Sequence, residues 1–299
     1  MSVVVLAYHE MGCLGLRVLL ERGVPVSALF TYEDDPSENC WFGSVADLAR
    51  EAGIPVFTTE RINDPEWVGR IADLSPDVLF SFYYRHILKA PIRRTPRHGC
   101  INMHGSLLPK YRGRCPLNWQ LVHGETESGV TLHDIVGRAD AGDIVGQERV
   151  PVGPDDMAID LYRALLPAAE KLLHRCLDGM LDGTAPRTPQ DDAQATVFGG
   201  RCPEDGRIDW AWPAARIHNL VRAVTRPWPG AFTEGPHGRT MIWQTTVLPS
   251  SELVPGQVRI DRGRVLVGTG EGLLELLDTT PGPLRDGDVL AASPQETLS

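Results

Sequence analysis

Apolar residues follow two rhythms along this chain. Val3 to Tyr8 is a continuous apolar run, the pattern of a strand buried on both faces, and Pro25 to Thr31, Pro55 to Thr58 and Asp77 to Phe82 are further strand candidates. Between them, Met11 to Glu21, Gly43 to Ala52 and Pro65 to Leu74 carry apolar residues at helical spacing. Strands and helices alternating at this pitch predict an α/β fold with a Rossmann-like, mostly parallel sheet. Cys100 to His104, Val130 to Val136 and Gly146 to Val152 continue it as strands. Asp155 to Leu181 is the longest helical pattern, with Asp155 and Asp156 placed to cap it and Pro167 placed to kink or divide it. Gly183 to Ala195 is polar, contains two prolines and reads as a surface loop or linker.

The second rhythm is that of a small β domain. Ile208 to Trp210 reads as a short strand, Pro213 to Val224 as a helix and Arg226 to Phe232 as a rigid turn. Thr240 to Leu248, Gly256 to Ile260, Val265 to Gly268 and Leu273 to Leu277 are short runs separated by glycines and prolines, as in a small barrel or open sheet. The chain therefore divides into an N-terminal domain, 1–203, and a β-rich domain, 204–299. The tail from Ala291 is expected to fray.

Composition narrows the class. A chain of 299 residues with 42% apolar and 23% charged residues is an ordinary globular protein long enough for two domains. The net charge of -10 argues against a nucleic-acid partner. Six dispersed cysteines without a C-x-x-C pair argue against a zinc site or a disulfide framework. The first apolar run has no basic residues before it and is far too short to span a bilayer, so a cytoplasmic protein without membrane insertion is expected. Gly12 and Gly15 follow the first strand without the G-x-G-x-x-G spacing, which argues against NAD or FAD. Their plain reading is a tight turn and close helix–sheet packing.

The candidate chemistry lies between Cys100 and Val145. If Cys100 to His104 is extended, Asn102 and His104 share a face, because side chains alternate along a strand. One is a neutral hydrogen-bond donor, the other titrates near neutrality. That pair suits acyl transfer, with a base for the nucleophile and a donor for the oxyanion. Asp140, in Ala139-Asp140-Ala141-Gly142-Asp143, is placed to orient His104 and stabilise its protonated form. His133 is expected to pack or hydrogen-bond locally. Leu108-Pro109 is a candidate cis peptide.

Asn102-Met-His104-Gly-Ser106-Leu107-Leu108-Pro109, then Tyr111-Arg112-Gly113 and the later Asp-Ala-Gly-Asp turn, resemble the signature of the 10-formyltetrahydrofolate-dependent formyltransferases. The stretch from Lys110 to Val145, with AYHEMGCLG, SPDVLFSFYYRHIL and VRAVTRPWPGAF, is most similar to the branch that formylates UDP-4-amino-4-deoxy-L-arabinose in lipid A modification and polymyxin resistance. These segments are spread over nearly the whole chain. The enzyme of that branch is bifunctional, and 299 residues leave no room for its second, oxidative domain, so a free-standing version or an excised domain is expected.

The resemblance implies an OB-like C-terminal domain and 10-formyltetrahydrofolate as formyl donor. It implies His104, Asn102 and Asp140 as the catalytic trio, and His86, Ile87, Leu88, Arg114, Val136, Gly137, Arg138, Ala139 and Asp140 as folate contacts. For the sugar nucleotide, Tyr8, His9, Met11, Gly12, Ser106, Tyr111 and Arg112 are the candidates. Ser106 either meets substrate or orders its turn. Arg112 either meets a diphosphate or folate carboxylate, or lies in a solvated basic loop. No metal is implied, and the oligomeric state stays open. The alternatives are an N-formyltransferase for another nucleotide amino sugar, methionyl-tRNA formyltransferase, a folate-binding module without catalysis, and a dehydrogenase, which the missing glycine fingerprint disfavours.

Overall fold

The computed structural model describes residues 1–34, 39–249, 252–280, 282 and 284–290. The tail from Ala291 lies outside the described residues. The first apolar runs become β1 (Val3–Ala7), β2 (Val26–Thr31), β3 (Val56–Thr58), β4 (Val78–Phe82) and β5 (Cys100–His104). Helices α1 (His9–Glu21), α2 (Val45–Glu51) and α3 (Pro65–Asp73) alternate with them, and a short α4 (Ala90–Arg93), which the periodicity does not predict, precedes β5. All of β1 is wholly buried, which explains its unbroken apolar run: it has a parallel neighbour on each side, β2 and β4. Each large apolar side chain so buried contributes about 1.5–3 kcal/mol.

Downstream come β6 (Arg112–Gly113), α5 (Pro116–Val122), β7 (Glu127–Asp134) and β8 (Ile144–Pro151). The seven-stranded sheet has the order β3-β2-β1-β4-β5-β7-β8. Its β1–β5 part is parallel, while β7 runs antiparallel to β5 and β8 antiparallel to β7. The chain leaves β1 toward β2 and β3, then returns to the other side of β1 for β4. The carboxyl ends of β1 and β4 therefore flank the topological switch point, where open α/β sheets bind ligands.

Helix α1 lies close on this sheet because Gly15 has no side chain. A Cβ there would stand 2.4 Å from the ring of Phe82, itself wholly buried. The close-packing reading of Gly15 thus holds.

Helix α6 (Ala158–Asp182) differs from expectation in two ways. It runs unbroken through Pro167. The apolar stripe of Leu161, Leu165, Ala169, Leu172 and Leu173 is buried on both sides of the proline, and this packing outweighs the lost backbone bond. Nor do Asp155 and Asp156 cap it. Asp156 accepts from the Gly153 amide at 2.7 Å, and Asp160 inside the first turn accepts from Met157 at 3.1 Å.

Beyond α6, β9 (Val197–Phe198) pairs in parallel with β6. The stretch Gly183 to Ala195 is not a plain loop: Thr188 exchanges two backbone bonds with Ile144, and a 3-10 turn covers Asp192–Gln194.

The chain clusters into two units. One holds Met1–Pro116, Glu127–Pro151 and Arg163–Phe198; the other holds Leu117–Thr126, Val152–Tyr162 and Gly199–Ser299. In the second unit, α7 (Ala214–Val224) accompanies β10 (Ala231–Gly235), β11 (Gly238–Leu248), β12 (Val258–Asp261), β13 (Arg264–Gly268) and β14 (Leu273–Thr280). They form an antiparallel sheet in the order β10-β11-β14-β13-β12. This is a Greek-key order, in which β11 lies beside the last strand of the β12–β14 meander. Ile208 to Trp210 is not a strand; Ile208 makes one backbone bond to Phe232 at 2.8 Å. Among the described residues no helix is long and apolar enough to cross a membrane.

Gly15→Ala tests the helix–sheet contact. The added methyl forces the Phe82 ring or α1 to move, so urea unfolding is expected to show a loss of about 1–3 kcal/mol. An unchanged midpoint would show that the contact has slack.

Candidate active site

Strand β5 carries the site because of its pleat. Asn102 and His104 project from one face, as their spacing requires. In the register with β7, Asn102 stands opposite His133 and His104 opposite Thr131. That pairing puts His133 beside the amide of Asn102, with Asn102 Nδ2 3.1 Å from His133 Nε2. The local bond expected of His133 is present as well: Nδ1 donates to the Asp134 carbonyl at 2.9 Å. Its second nitrogen nevertheless belongs to the site, which alternation alone could not reveal without the β5–β7 register.

After Asp134 the chain leaves β7 and returns through Asp143, whose carbonyl accepts from the Asp134 amide at 2.9 Å. The loop so closed lays Asp140 over Asn102 and His104. One carboxylate oxygen accepts from the Gly113 amide at 2.8 Å and stands 3.7 Å from His104 Nδ1. The other lies 3.4 Å from His133 Nε2 and 3.5 Å from Asn102 Nδ2. Burial pushes the Asp140 carboxyl up, but His104, His133 and the Gly113 amide together outweigh it and hold the group well below the usual carboxylate range.

His104 Nε2 donates to the Tyr111 carbonyl at 2.8 Å. The lone pair of the neutral ring is thus on Nδ1, facing Asp140. A proton taken up there finds a carboxylate beside it.

Backbone strain collects around the same place. Seven non-glycine residues have positive φ among the described residues, and His9, Tyr83, Tyr111, Cys115 and Asp140 are five of them. Such conformations cost L-residues about 1–2 kcal/mol each and persist where surrounding structure enforces them. Gly113 has φ 100, and a Cβ there would lie 2.2 Å from the Phe198 carbonyl oxygen. Only glycine lets β6 approach β9 and present its amide to Asp140. Leu108-Pro109 is cis.

Residues 3–177 match the model of the formyl transferase family, and residues 202–283 match the model of the formyl transferase C-terminal domain. The chain belongs to the formyl transferase family.

Solved structures share the fold. An N-formyltransferase from Helicobacter canadensis, in complex with folinic acid and dTDP-3-aminofucose, is 21% identical with a TM-score of 0.71, covering 93% of this chain and 99% of its own. WlaRD, a sugar 3N-formyl transferase solved in the presence of dTDP and 5-N-formyl-THF, is 19% identical with a TM-score of 0.70, covering 92% and 97%. A sugar N-formyltransferase from Shewanella sp FDAARGOS_354 is 18% identical with a TM-score of 0.65, covering 85% and 98%.

In this formyl transferase the remaining candidate residues divide by exposure. Ile87 is 62% exposed after β4, and its carbonyl accepts from Asn63 at 3.0 Å. His86 Nε2 meets Glu60 at 2.9 Å. The Leu88 side chain is buried with Val4, Phe30, Leu79 and Ile92, which leaves its backbone as the part that can face a ligand. Val136, Gly137, Arg138 and Ala139 are exposed, as is Arg114. A Cβ on Gly137 would lie 3.7 Å from the Arg93 guanidinium, so this loop borders the segment after β4.

The sugar-nucleotide candidates are more scattered. Tyr8 and His9, at the carboxyl end of β1, border a cavity of about 310 Å³ with Tyr32, Asp34, Ser44 and Arg50. The Tyr8 hydroxyl donates to Asp34 at 2.8 Å, and the His9 ring lies among Trp41, Phe42 and Tyr83. Met11 is wholly buried, so its side chain belongs to the core. Gly12 packs on Ala7, a Cβ there being 3.0 Å from the Ala7 methyl. Ser106 orders its turn: it is buried and donates to the Lys110 carbonyl at 2.8 Å. Tyr111 stacks on Phe198 at 5.2 Å.

Arg112 fits neither reading offered for it. Its guanidinium is 4% exposed and holds Gln190 Oε1 at 2.7 and 3.0 Å and Asp192 at 2.9 Å. A buried cation needs such partners, and they come from a stretch whose polarity reads as a linker.

Burial lowers the His9 pKa to about 4. The unfolded chain takes up this proton near pH 6.5, while the folded chain refuses it until about pH 4. The stabilisation is therefore complete above about pH 6.5 and is lost as the pH falls toward the folded value. Asp140, with its depressed pKa, keeps its contribution across this window and loses it only at lower pH. The wild type should lose unfolding free energy between pH 7 and pH 5, and His9→Asn, which tolerates the left-handed backbone, should narrow the difference. Some difference should remain, because burial also lowers His218. Equal slopes in urea titrations of the two proteins would remove His9 as a source.

Proposed function

We propose that this chain transfers the formyl group of 10-formyltetrahydrofolate to the 4-amino group of a nucleotide-linked amino sugar, UDP-4-amino-4-deoxy-L-arabinose being the acceptor its motifs resemble most. The observation that carries the reading is the grouping of Asn102, His104 and Asp140 on one face of β5, with Asp140 tied to both neighbours. Support for the donor comes from the exposed Ile87 and the exposed 136–139 loop, which offer apolar contact and backbone groups of the kind a pterin ring uses. It comes also from the folinic acid and 5-N-formyl-THF in the relatives of the same fold.

The donor supplies an activated formyl group. His104 takes the proton from the attacking amine on Nδ1, next to Asp140, and returns a proton to the departing folate nitrogen. Asn102 donates an amide N–H to the formyl oxygen as it gains negative charge. Asp140 remains ionised throughout, orients the imidazole and balances its charge. His86 to Leu88, Arg114 and Val136 to Asp140 hold the folate. Tyr8, His9 and Tyr111 line the way to the sugar nucleotide, with backbone contacts from Met11 and Gly12. The catalytic domain is 1–203 and the β-rich domain 204–299. The reaction would run in the cytoplasm as a step of lipid A modification for polymyxin resistance.

A second acceptor has its own support. One relative of the same fold was solved with dTDP-3-aminofucose, so a different nucleotide amino sugar is the competing reading. Methionyl-tRNA is disfavoured by the net charge of -10.

The test is formyl transfer from 10-formyltetrahydrofolate to UDP-4-amino-4-deoxy-L-arabinose and a panel of dTDP- and UDP-amino sugars, followed by folate absorbance. His104→Ala and Asn102→Ala are each expected to lower kcat by about 100-fold or more. Turnover with another amino sugar alone would move the substrate assignment. A His104→Ala protein that keeps most of its turnover would remove the mechanism.

A further inference from the structure

Asp140 occupies a conformation that its own sequence does not favour. Its φ is 49, and it must hold its carboxylate between two histidines while half-buried. Something outside the loop has to stabilise that backbone. The structure supplies Gln190, fifty positions later in sequence. Its Nε2 donates to the Asp140 carbonyl at 2.8 Å and to the Gly142 carbonyl at 2.6 Å. Its Oε1 accepts twice from Arg112, at 2.7 and 3.0 Å.

Each capacity of this amide is thereby used: both N–H groups on the Asp140 turn, both lone pairs on a guanidinium. The amide also cannot turn over, because Arg112 has no acceptor to offer the NH2 group. Arg112 is itself fixed by Asp192, which takes Arg138 on its other oxygen at 2.7 Å. The Asp140–Gly142 turn and strand β6 therefore meet in one side chain.

We propose that Gln190 is a positioning residue for the reaction: by holding the Asp140 and Gly142 carbonyls it keeps Asp140 in its left-handed turn, with the carboxylate on His104. The inference rests on the formyl-transfer reading for its kinetic consequence, though not for its structural one. Gln190 touches no substrate in this scheme and acts through Asp140.

Gln190→Glu separates the two faces of the side chain. A carboxylate pairs with Arg112 at least as well as the amide does, so the melting temperature should stay within a few degrees of wild type. It has no N–H for the two carbonyls and repels them. The expected result is a loss of about 10-fold or more in kcat, with KM for folate and acceptor within about 2-fold. In an Asp140→Asn background the same change should cost less than about 2-fold further, because the path through Asp140 is already cut.

Hydrogen exchange of the 136–143 peptide should be faster in Gln190→Glu than in wild type. If Gln190→Glu does not fold, Gln190→Met, which has no polar group at all, is read in the same assays. Unchanged kcat, a full further loss in the Asp140→Asn background, or unchanged exchange of 136–143 would each overturn the proposal. A wild-type protein that turns over no acceptor would overturn the formyl-transfer reading instead, and hydrogen exchange would still decide the structural claim.

Discussion

The candidate active site depends on one anion that is largely withdrawn from water. A carboxylate removed from water is tolerated only where hydrogen bonds and opposite charge replace the solvent. Asp140 receives a backbone N–H from Gly113 and stands beside two imidazoles and an amide. The four partners come from three pieces of chain: Asn102 and His104 on β5, His133 on β7, Gly113 on β6. The need to neutralise this one group draws the pieces together, and the same closeness gives the imidazole and the amide a shared orientation.

The sheet makes the closeness possible. Parallel strands up to β5 would place the next strand's residues out of reach of Asn102 without a long crossover. The switch to antiparallel pairing at β7 lets the chain return at once, with His133 opposite Asn102. It also lets the loop between Asp134 and Asp143 fold back over β5. The change of strand direction is what lets Asn102, His104 and His133 share one face.

Much of this is legible in the residues. Strands β1 to β5 can be read to within a residue or two, because a short apolar run between helical patterns is what an inner strand covered on both faces requires, and β3, at the sheet edge, is less buried. The face shared by Asn102 and His104 follows from strand alternation alone, and the trio from resemblance. What sequence does not supply is register. His133 and Asn102 are 31 positions apart, and only the β5–β7 pairing shows that they touch.

The 183–195 segment misleads for a related reason. Its polarity is real, but Gln190 and the half-exposed Asp192 also spend polar atoms on Arg112 and on the Asp140 carbonyl. Composition cannot tell a solvated loop from one whose polar atoms are engaged. Pro167 reads as a break because its backbone cost is visible in the sequence, while the burial on either side of it is not.

The distance in sequence between the parts of this centre has a consequence for how the protein comes into being. Strands β1 to β5 are complete by residue 104, and β7 and β8 by residue 151. The turn that aims Asp140 needs Gln190, and the Gly113 amide is held where β6 meets β9, at residues 197 and 198. In order of synthesis, all seven strands of the sheet precede the parts that close the candidate site. That site is completed late and within a few residues, by the segment that carries Gln190 and β9.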